Sequence, residues 1–312
     1  MKQFCLIGGL GFIGSHLAEK LLLSGEHVTI IDIIDKPQQS FIKDVKYFNH
    51  DYSDESFMHG ILDKSEIVIN LAYASVPKTS YDNPVEDIYT NLLNNVKLLE
   101  TATHHNIEKI IYVSSGGTVY GHPRFLPITE EHPTNPVSPY GISKLAAEKY
   151  AIMYYLNKQL PVAVVRPSNA YGPGQKAFTG QGFVATAIAS ILEKKEINIF
   201  GENGTIRDYI YVSDLADAII KVAYKGKAGE IYNIGSSIGK NNKEILNIIN
   251  SFTAKNQMEP IINTLPSREF DVSKNILSWE KINCDTGWKP TTSLEKGMEK
   301  TVGWFIENYK NI

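Results

Sequence analysis

Cysteine is nearly absent: Cys5 and Cys284 are the only two in 312 residues, which excludes the dense disulfide framework that staples small secreted domains. Both are read as buried small apolar side chains. Long apolar runs are missing as well. None approaches the roughly 18 residues needed to cross a bilayer, and the opening MKQFCLIGGLGF carries no basic region ahead of a long apolar stretch. A soluble, cytoplasmic chain with no membrane insertion is expected. Positive charge is not in excess, with 31 Lys and Arg against 34 Asp and Glu and a net charge of -3, so no nucleic acid partner is expected. Metal-ligand spacing is lacking too. Of the eight histidines only His104 and His105 are neighbours, and adjacent helix positions point apart, so no metal is expected. No fixed-period repeat and no low-complexity tract occurs.

What is present is an ordinary globular composition, 43% hydrophobic, in a chain long enough for one large domain or two. Short β-branched runs at Gln3–Gly8, His27–Asp32, Val45–Asn49, Ile67–Leu71, Lys109–Ser114 and Pro161–Arg166 alternate with amphipathic segments such as Leu17–Ser24 and Asn91–His104. That rhythm predicts βαβ units and an α/β fold of the Rossmann type, a doubly wound parallel sheet with strands buried on both faces. From Pro167 onward the turn-rich stretches SNAYGPGQKAFTGQG and FGENGTIRD read as binding loops of a second, smaller carboxyl-terminal lobe for substrate. The expected division is a dinucleotide-binding domain over 1–167, with a return of the chain around 212–235, and a lobe drawn mainly from 168–312.

The run CLIGGLGFIGSHL sets Gly8, Gly9, Gly11 and Gly14 between an apolar strand and an amphipathic helix. Glycines there allow a tight turn, a close approach of backbone to a pyrophosphate and tight packing of helix on strand, with the helix amino terminus aimed at the anion. Asp32 follows 18 residues after Gly14 at the end of the second strand, where a carboxylate accepts from ribose hydroxyls and repels a 2′-phosphate. NAD is therefore preferred to NADP. Asp51, just past the third strand, is either an adenine contact or an ordinary turn acid.

In NPVSPYGISKLAAEKY, Ser138 is a helix cap and Pro139 suits the first turn, so Tyr140 and Lys144 lie four apart on one helical face. A phenol next to an ammonium can act as a base near neutral pH. Tyr154 and Lys158 repeat the spacing, and position decides: Tyr140 stands at the helix start, near the carboxyl ends of the strands where ligands bind. The preceding VSSGGTVYGHP supplies Ser114, Ser115 and Thr118 in a glycine turn.

In this order IGGLGFIG, Asp32, SSGGTVYG, YGISK and RPSNAYGPG resemble the extended short-chain dehydrogenase/reductase family, in particular its nucleotide-sugar epimerases and dehydratases of the UDP-galactose 4-epimerase kind. The likeness spans nearly the whole chain. It implies NAD as cofactor, a nucleoside diphosphate sugar as substrate and a homodimer, with the helices Asn91–His104 and Pro139–Asn157 as the candidate contact faces. Tyr140 and Lys144 become the catalytic pair, assisted by Ser115 or Thr118, of which Thr118 is the preferred one. Cofactor contacts are implied at Gly8, Gly11, Phe12, Ile13, Gly14, Asp32, Asp51, Tyr52, Leu71, Ala72, Asn91, Tyr140 and Lys144, and substrate contacts at Asn169, Arg207 and Arg268. Departures from the pattern matter. Gly116 stands where relatives carry the catalytic serine or threonine, Gly117 and Thr118 stand where 4,6-dehydratases carry an acid pair, Asn70 replaces a common histidine, and Ser75 replaces a lysine of the galactose epimerase. The expected activity is a 4-epimerase working through a transient 4-keto sugar. A net C4 oxidoreductase and a non-catalytic dinucleotide sensor are the alternatives.

Overall fold

A computed structural model describes residues 1–35, 37, 39–267 and 272–309 of the chain. Strand β1 (Gln3–Ile7) sends Phe4 and Leu6 into one apolar layer and Cys5 and Ile7 into another, all four buried, as a strand covered on both faces requires. After it come α1 (Phe12–Leu23), β2 (His27–Asp32), β3 (Lys46–Asn49), α2 (Glu55–Leu62), β4 (Ile67–Asn70), α3 (Pro77–Asp82) and α4 (Pro84–Asp87). A π-helical turn over Ile88–Leu93 leads into α5 (Asn94–Ala102), then β5 (Lys109–Val113), α6 (Pro139–Lys158) and β6 (Val162–Pro167). The six expected strands are there, within a residue of their expected ends. The first helix starts earlier than expected, at Phe12, and the helix expected from Asn91 is α-helical only from Asn94, since the π turn precedes it.

The remaining elements are β7 (Asn169–Tyr171), α7 (Phe183–Leu192), β8 (Glu196–Phe200), β9 (Ile206–Tyr211), α8 (Val212–Lys225), β10 (Ile231–Ile234), β11 (Gly239–Asn241), α9 (Asn242–Thr253), β12 (Ile261–Leu265), β13 (Lys274–Asn275), α10 (Glu280–Thr286) and α11 (Leu294–Asn308). Seven parallel strands form one sheet in the order β10-β6-β5-β4-β1-β2-β3. The winding reverses between β1 and β4, and a crevice opens beyond the carboxyl ends of these two strands. α8 packs beside α1, and β10 joins the edge of β6. A smaller lobe builds on β9, flanked by β7, β11 and β13, and has its own core between α7, α9 and α11. Cys5 is buried, whereas Cys284 is exposed, so the reading of both cysteines as core holds for one only; α10 turns Cys284 outward while Ile282 packs inside. Among the described residues no helix is long and apolar enough to cross a membrane, and no group of three or more metal-ligating side chains can hold an ion.

α6 begins where Ser138 accepts from the Gly141 amide, with Pro139 in its first turn, and ends at Gln159 in the left-handed conformation. Its inward face carries charge: Lys144 and Glu148 are buried together with Ala147 and Ala151. Glu148 is matched by the buried Arg166 of β6, whose guanidinium donates to both carboxylate oxygens at 2.5–3.2 Å. The same guanidinium donates to the Tyr120 hydroxyl at 2.8 Å, which donates in turn to Asn233 Oδ1 of β10 at 2.7 Å. Helix, two strands and the loop after β5 are thereby tied at one point. Removing one partner strands a buried charge, so Arg166→Met is expected to cost about 3–5 kcal/mol in chemical denaturation, with most of that recovered in the double variant Arg166→Met/Glu148→Leu.

Candidate active site

The β1–α1 loop is shaped by its glycines. Gly8 has a φ of 77°, in the left-handed region, and a Cβ there would lie 2.8 Å from the amide nitrogen of Ala72; a Cβ on Gly14 would lie 2.6 Å from the carbonyl oxygen of Gly8. Gly11 caps α1 with no side chain, so the first-turn amides of the helix face the crevice unshielded. Asp32 holds this loop from below, accepting from the Leu10 and Ile33 amides at 2.9 Å each. Each carboxylate oxygen keeps a further lone pair for a ribose hydroxyl.

Two adjoining clefts follow the crevice. The smaller, of about 350 Å³, is lined by Asp32, Asp51, Tyr52, Leu71, Ala72 and Asn91 together with Gly8 and Gly11. The larger, of about 500 Å³, is lined by the glycine loop with Phe12 and Ile13, and by Ser115, Thr118, Tyr140, Lys144, Asn169 and Arg207. Every residue named above as a catalytic, cofactor or substrate contact borders one or the other except Arg268, which lies outside the described residues. Their parts differ. Asn91 is fully engaged inside the protein, accepting from the Ala74 amide at 2.7 Å and donating to Ser75 and Asp87 at 3.2 Å. Asp51 spends one oxygen on the Ser53 amide at 2.8 Å, and the buried Tyr52 hydroxyl has no protein partner. These unshielded amides, the orphaned hydroxyl and a cradle that a Cβ would fill fit a dinucleotide.

In the larger cleft Tyr140 and Lys144 stand at the start of α6, whose first amide, that of Tyr140, donates to Ser80 Oγ at 3.1 Å. Lys144 Nζ donates to the Val113 carbonyl at 2.8 Å. Burial draws the Lys144 ammonium down to about 7, against the pull of the Glu148 and Asp87 carboxylates. Burial also pushes the Tyr140 phenol up, the Asp87 charge adds to the rise, and a hydrogen bond with Ser115 opposes it. Thr118 has a different part: its hydroxyl turns back to the Ser115 carbonyl at 3.5 Å. Ser115 and Thr118 both line this cleft beside Tyr140. Tyr154 is occupied elsewhere, donating to Glu100 at 2.6 Å.

The sequence profile of the NAD dependent epimerase/dehydratase family matches residues 4–235. The chain belongs to this family. It is 31% identical over 306 residues to UDP-glucose 4-epimerase of Mycolicibacterium smegmatis, covering 96% of each chain. It is 29% identical to dTDP-D-glucose 4,6-dehydratase of Homo sapiens, covering 99% of this chain and 91% of that one. The UDP-glucose 4-epimerase of Thermotoga maritima, solved with UDP-glucose, superposes with a TM-score of 0.91 at 32% identity, covering 98% of this chain and 99% of that one. As a member of the epimerase/dehydratase family the chain is an NAD-dependent enzyme, and the departure at Gly116 now has a physical cause. A Cβ there would lie 2.4 Å from Leu277 Cδ1 and 2.9 Å from the Arg166 carbonyl, so the lobe's Leu277 occupies the space that a side chain at 116 needs.

Sequence reasoning missed two residues that shape this site. Tyr73 lies between Tyr140 and Lys144, and Asp87 is buried below Ser75, accepting from its hydroxyl. No local pattern marks either one. Gly14→Ala is expected to weaken NAD binding at least tenfold by calorimetry, since backbone has to move on both sides of the new methyl. Gly60→Ala, on an open face of α2, is expected to leave binding unchanged and to add about 0.5–1 kcal/mol of stability.

Proposed function

We propose that this enzyme is an NAD-dependent nucleotide-sugar 4-epimerase, acting in the cytoplasm through a transient 4-keto sugar. One observation carries the reading: the Tyr140 phenol stands with the Ser115 and Thr118 hydroxyls in a cleft in which no described lining residue is an Asp or Glu. A proton can be taken from and returned to a sugar hydroxyl there, whereas a dehydratase needs a further acid and base to remove water. The likeness to UDP-glucose 4-epimerases supports the same choice.

Bound NAD supplies the hydride acceptor and donor at C4 and a positive ring. Tyr140 accepts the hydroxyl proton and later returns it. Ser115, donating to the Tyr140 oxygen, favours its phenolate form and orients the sugar hydroxyl. Lys144, on the same face of α6, adds a positive charge that also favours the phenolate. Thr118 closes the turn and takes a secondary part. Asn169 and Arg207, on β7 and β9 of the lobe, suit the sugar and diphosphate oxygens of a nucleoside diphosphate sugar, and an arginine fork matches two phosphate oxygens at once. Arg268 is assigned to the same group from the sequence. In this reading residues 1–167 with the return at 212–235 hold NAD, and the rest of 168–312 grips the nucleotide sugar.

We further propose a homodimer. α5 turns Leu98, Leu99 and Ala102 inward, while Val85, Ile88, Tyr89 and Leu93 just before it are exposed, and on neighbouring α6 so are Ile142, Met153 and Leu156. Two adjacent helical segments with an uncovered apolar face suit a second copy.

Incubation with UDP-glucose, UDP-galactose and other nucleotide sugars, without added cofactor, is expected to interconvert C4 epimers with no lasting reduced-nicotinamide absorbance; stoichiometric accumulation of NADH would establish a net oxidoreductase instead. Tyr140→Phe is expected to lower kcat by about 10³-fold while retaining NAD, and Ser115→Ala by roughly 10-fold to 100-fold with the acid limb of the kcat profile moved to higher pH, whereas Thr118→Ala stays within about threefold. In sedimentation, Leu156→Glu combined with Ile142→Glu is expected to convert a dimer to a monomer; a parent chain that is already monomeric would refute the dimer.

A further inference from the structure

Tyr73 follows β4 in the segment leading to α3 and borders both clefts. Its ring lies beneath the Lys144 ammonium, with Nζ 3.9 Å from the ring centroid. Its edge meets the Tyr140 ring at a centroid distance of 4.9 Å and an angle of 67°. One aromatic ring thus touches both members of the proposed catalytic pair. The other groups that face Lys144 have engagements of their own. Glu148, one turn along α6, is held by Arg166. Asp87, at the end of α4, accepts from Ser75 and Asn91. Tyr112 of β5 presents its ring at 5.3 Å and Tyr140 its own at 5.8 Å, both well beyond the Tyr73 distance.

We infer that Tyr73 is a positioning residue for the reaction proposed above: its ring face holds the Lys144 ammonium at the junction of the two clefts and orients it toward Tyr140. A cation over a desolvated aromatic face is attracted by the ring quadrupole, and this attraction is present only while the lysine is charged. The ring therefore works against the burial that draws Lys144 down to about 7. Without it a larger share of Lys144 is neutral at neutral pH, and the phenolate of Tyr140 loses a cation. The hydroxyl of Tyr73 has no part in this contact, so phenylalanine is expected to serve in its place.

The inference rests on the epimerase reading for its catalytic consequence but not for the contact itself, and the test separates the two. In the intact chain labelled with [13C]lysine, the resonance missing from Lys144→Met identifies Lys144, and its titration is followed by NMR. Tyr73→Leu is expected to lower the midpoint by about one pH unit, a tenfold change in the protonation ratio, while Tyr73→Phe keeps the parental midpoint. With NAD and nucleotide sugar bound, Tyr73→Leu is expected to lower kcat about tenfold near pH 7 with KM within about twofold, and Tyr73→Phe to recover most of that loss. An unmoved midpoint in Tyr73→Leu, or a phenylalanine variant as impaired as the leucine one in both measurements, would overturn the inference. If Tyr73→Leu fails to give a cooperative melt, Tyr73→Met supplies the same comparison with an unbranched side chain. Stoichiometric accumulation of NADH in the parent would sink the epimerase reading alone, leaving the titration to decide the part played by Tyr73.

Discussion

Arg166 and Glu148 lie almost wholly out of water, and in that setting each charge is tolerable only because the other is there and because the guanidinium finds further acceptors. The pair fixes the rotation of α6 about its own axis. Lys144 sits one turn before Glu148 on the same face, and Tyr140 one turn before that, so the angle at which the ion pair seats the helix is also the angle at which the phenol and the ammonium enter the cleft. Tyr120 and Asn233 extend the same network to the loop after β5 and to the edge strand β10. Ser115 is the second residue of that loop. The hydroxyl, phenol and ammonium of the site are therefore placed by one buried cluster and not by three separate contacts.

Within that frame the electrostatics of the cleft run in opposite directions. Desolvation favours the neutral lysine and the neutral phenol, and the nearby Asp87 carboxylate raises the phenol further while favouring the charged lysine. Only the Ser115 hydrogen bond favours the phenolate directly. An isolated tyrosine in this pocket is a poor base. Tyr140 becomes a useful one only through groups that put positive charge or a donated proton beside its oxygen, which is why the lysine, the serine and a cationic cofactor ring belong together.

The lobe adds constraints that no single element contains. Leu277 fills the place where a side chain at position 116 would stand, and Asn275 donates to the Gly116 carbonyl at 3.0 Å. The catalytic turn is thus packed against residues about 160 positions later in the chain. The glycine loop, in contrast, is almost self-contained. Its strand, turn and helix lie within a βαβ unit of roughly 30 residues, which is why Gly8, Gly11, Gly14 and Asp32 were legible in order and spacing. Tyr140 and Lys144 were legible for the same reason, because four residues along a helix bring side chains together wherever that helix lies.

The sequence alone determined the elements whose cause is local: a parallel doubly wound sheet from short buried strands alternating with helices, a nucleotide-binding turn from glycines before a helix, and a tyrosine and lysine on one helical face. Tertiary structure decided everything that depends on burial and distant neighbours. It packed Leu277 against Gly116, turned α5 inward and left the segment before it exposed, and set Tyr73 under a lysine 71 residues away. The physical reason is the range of the forces. Backbone geometry and side-chain periodicity act over a few residues, whereas the environment of a buried charge depends on whatever the folded chain places within a few ångströms of it.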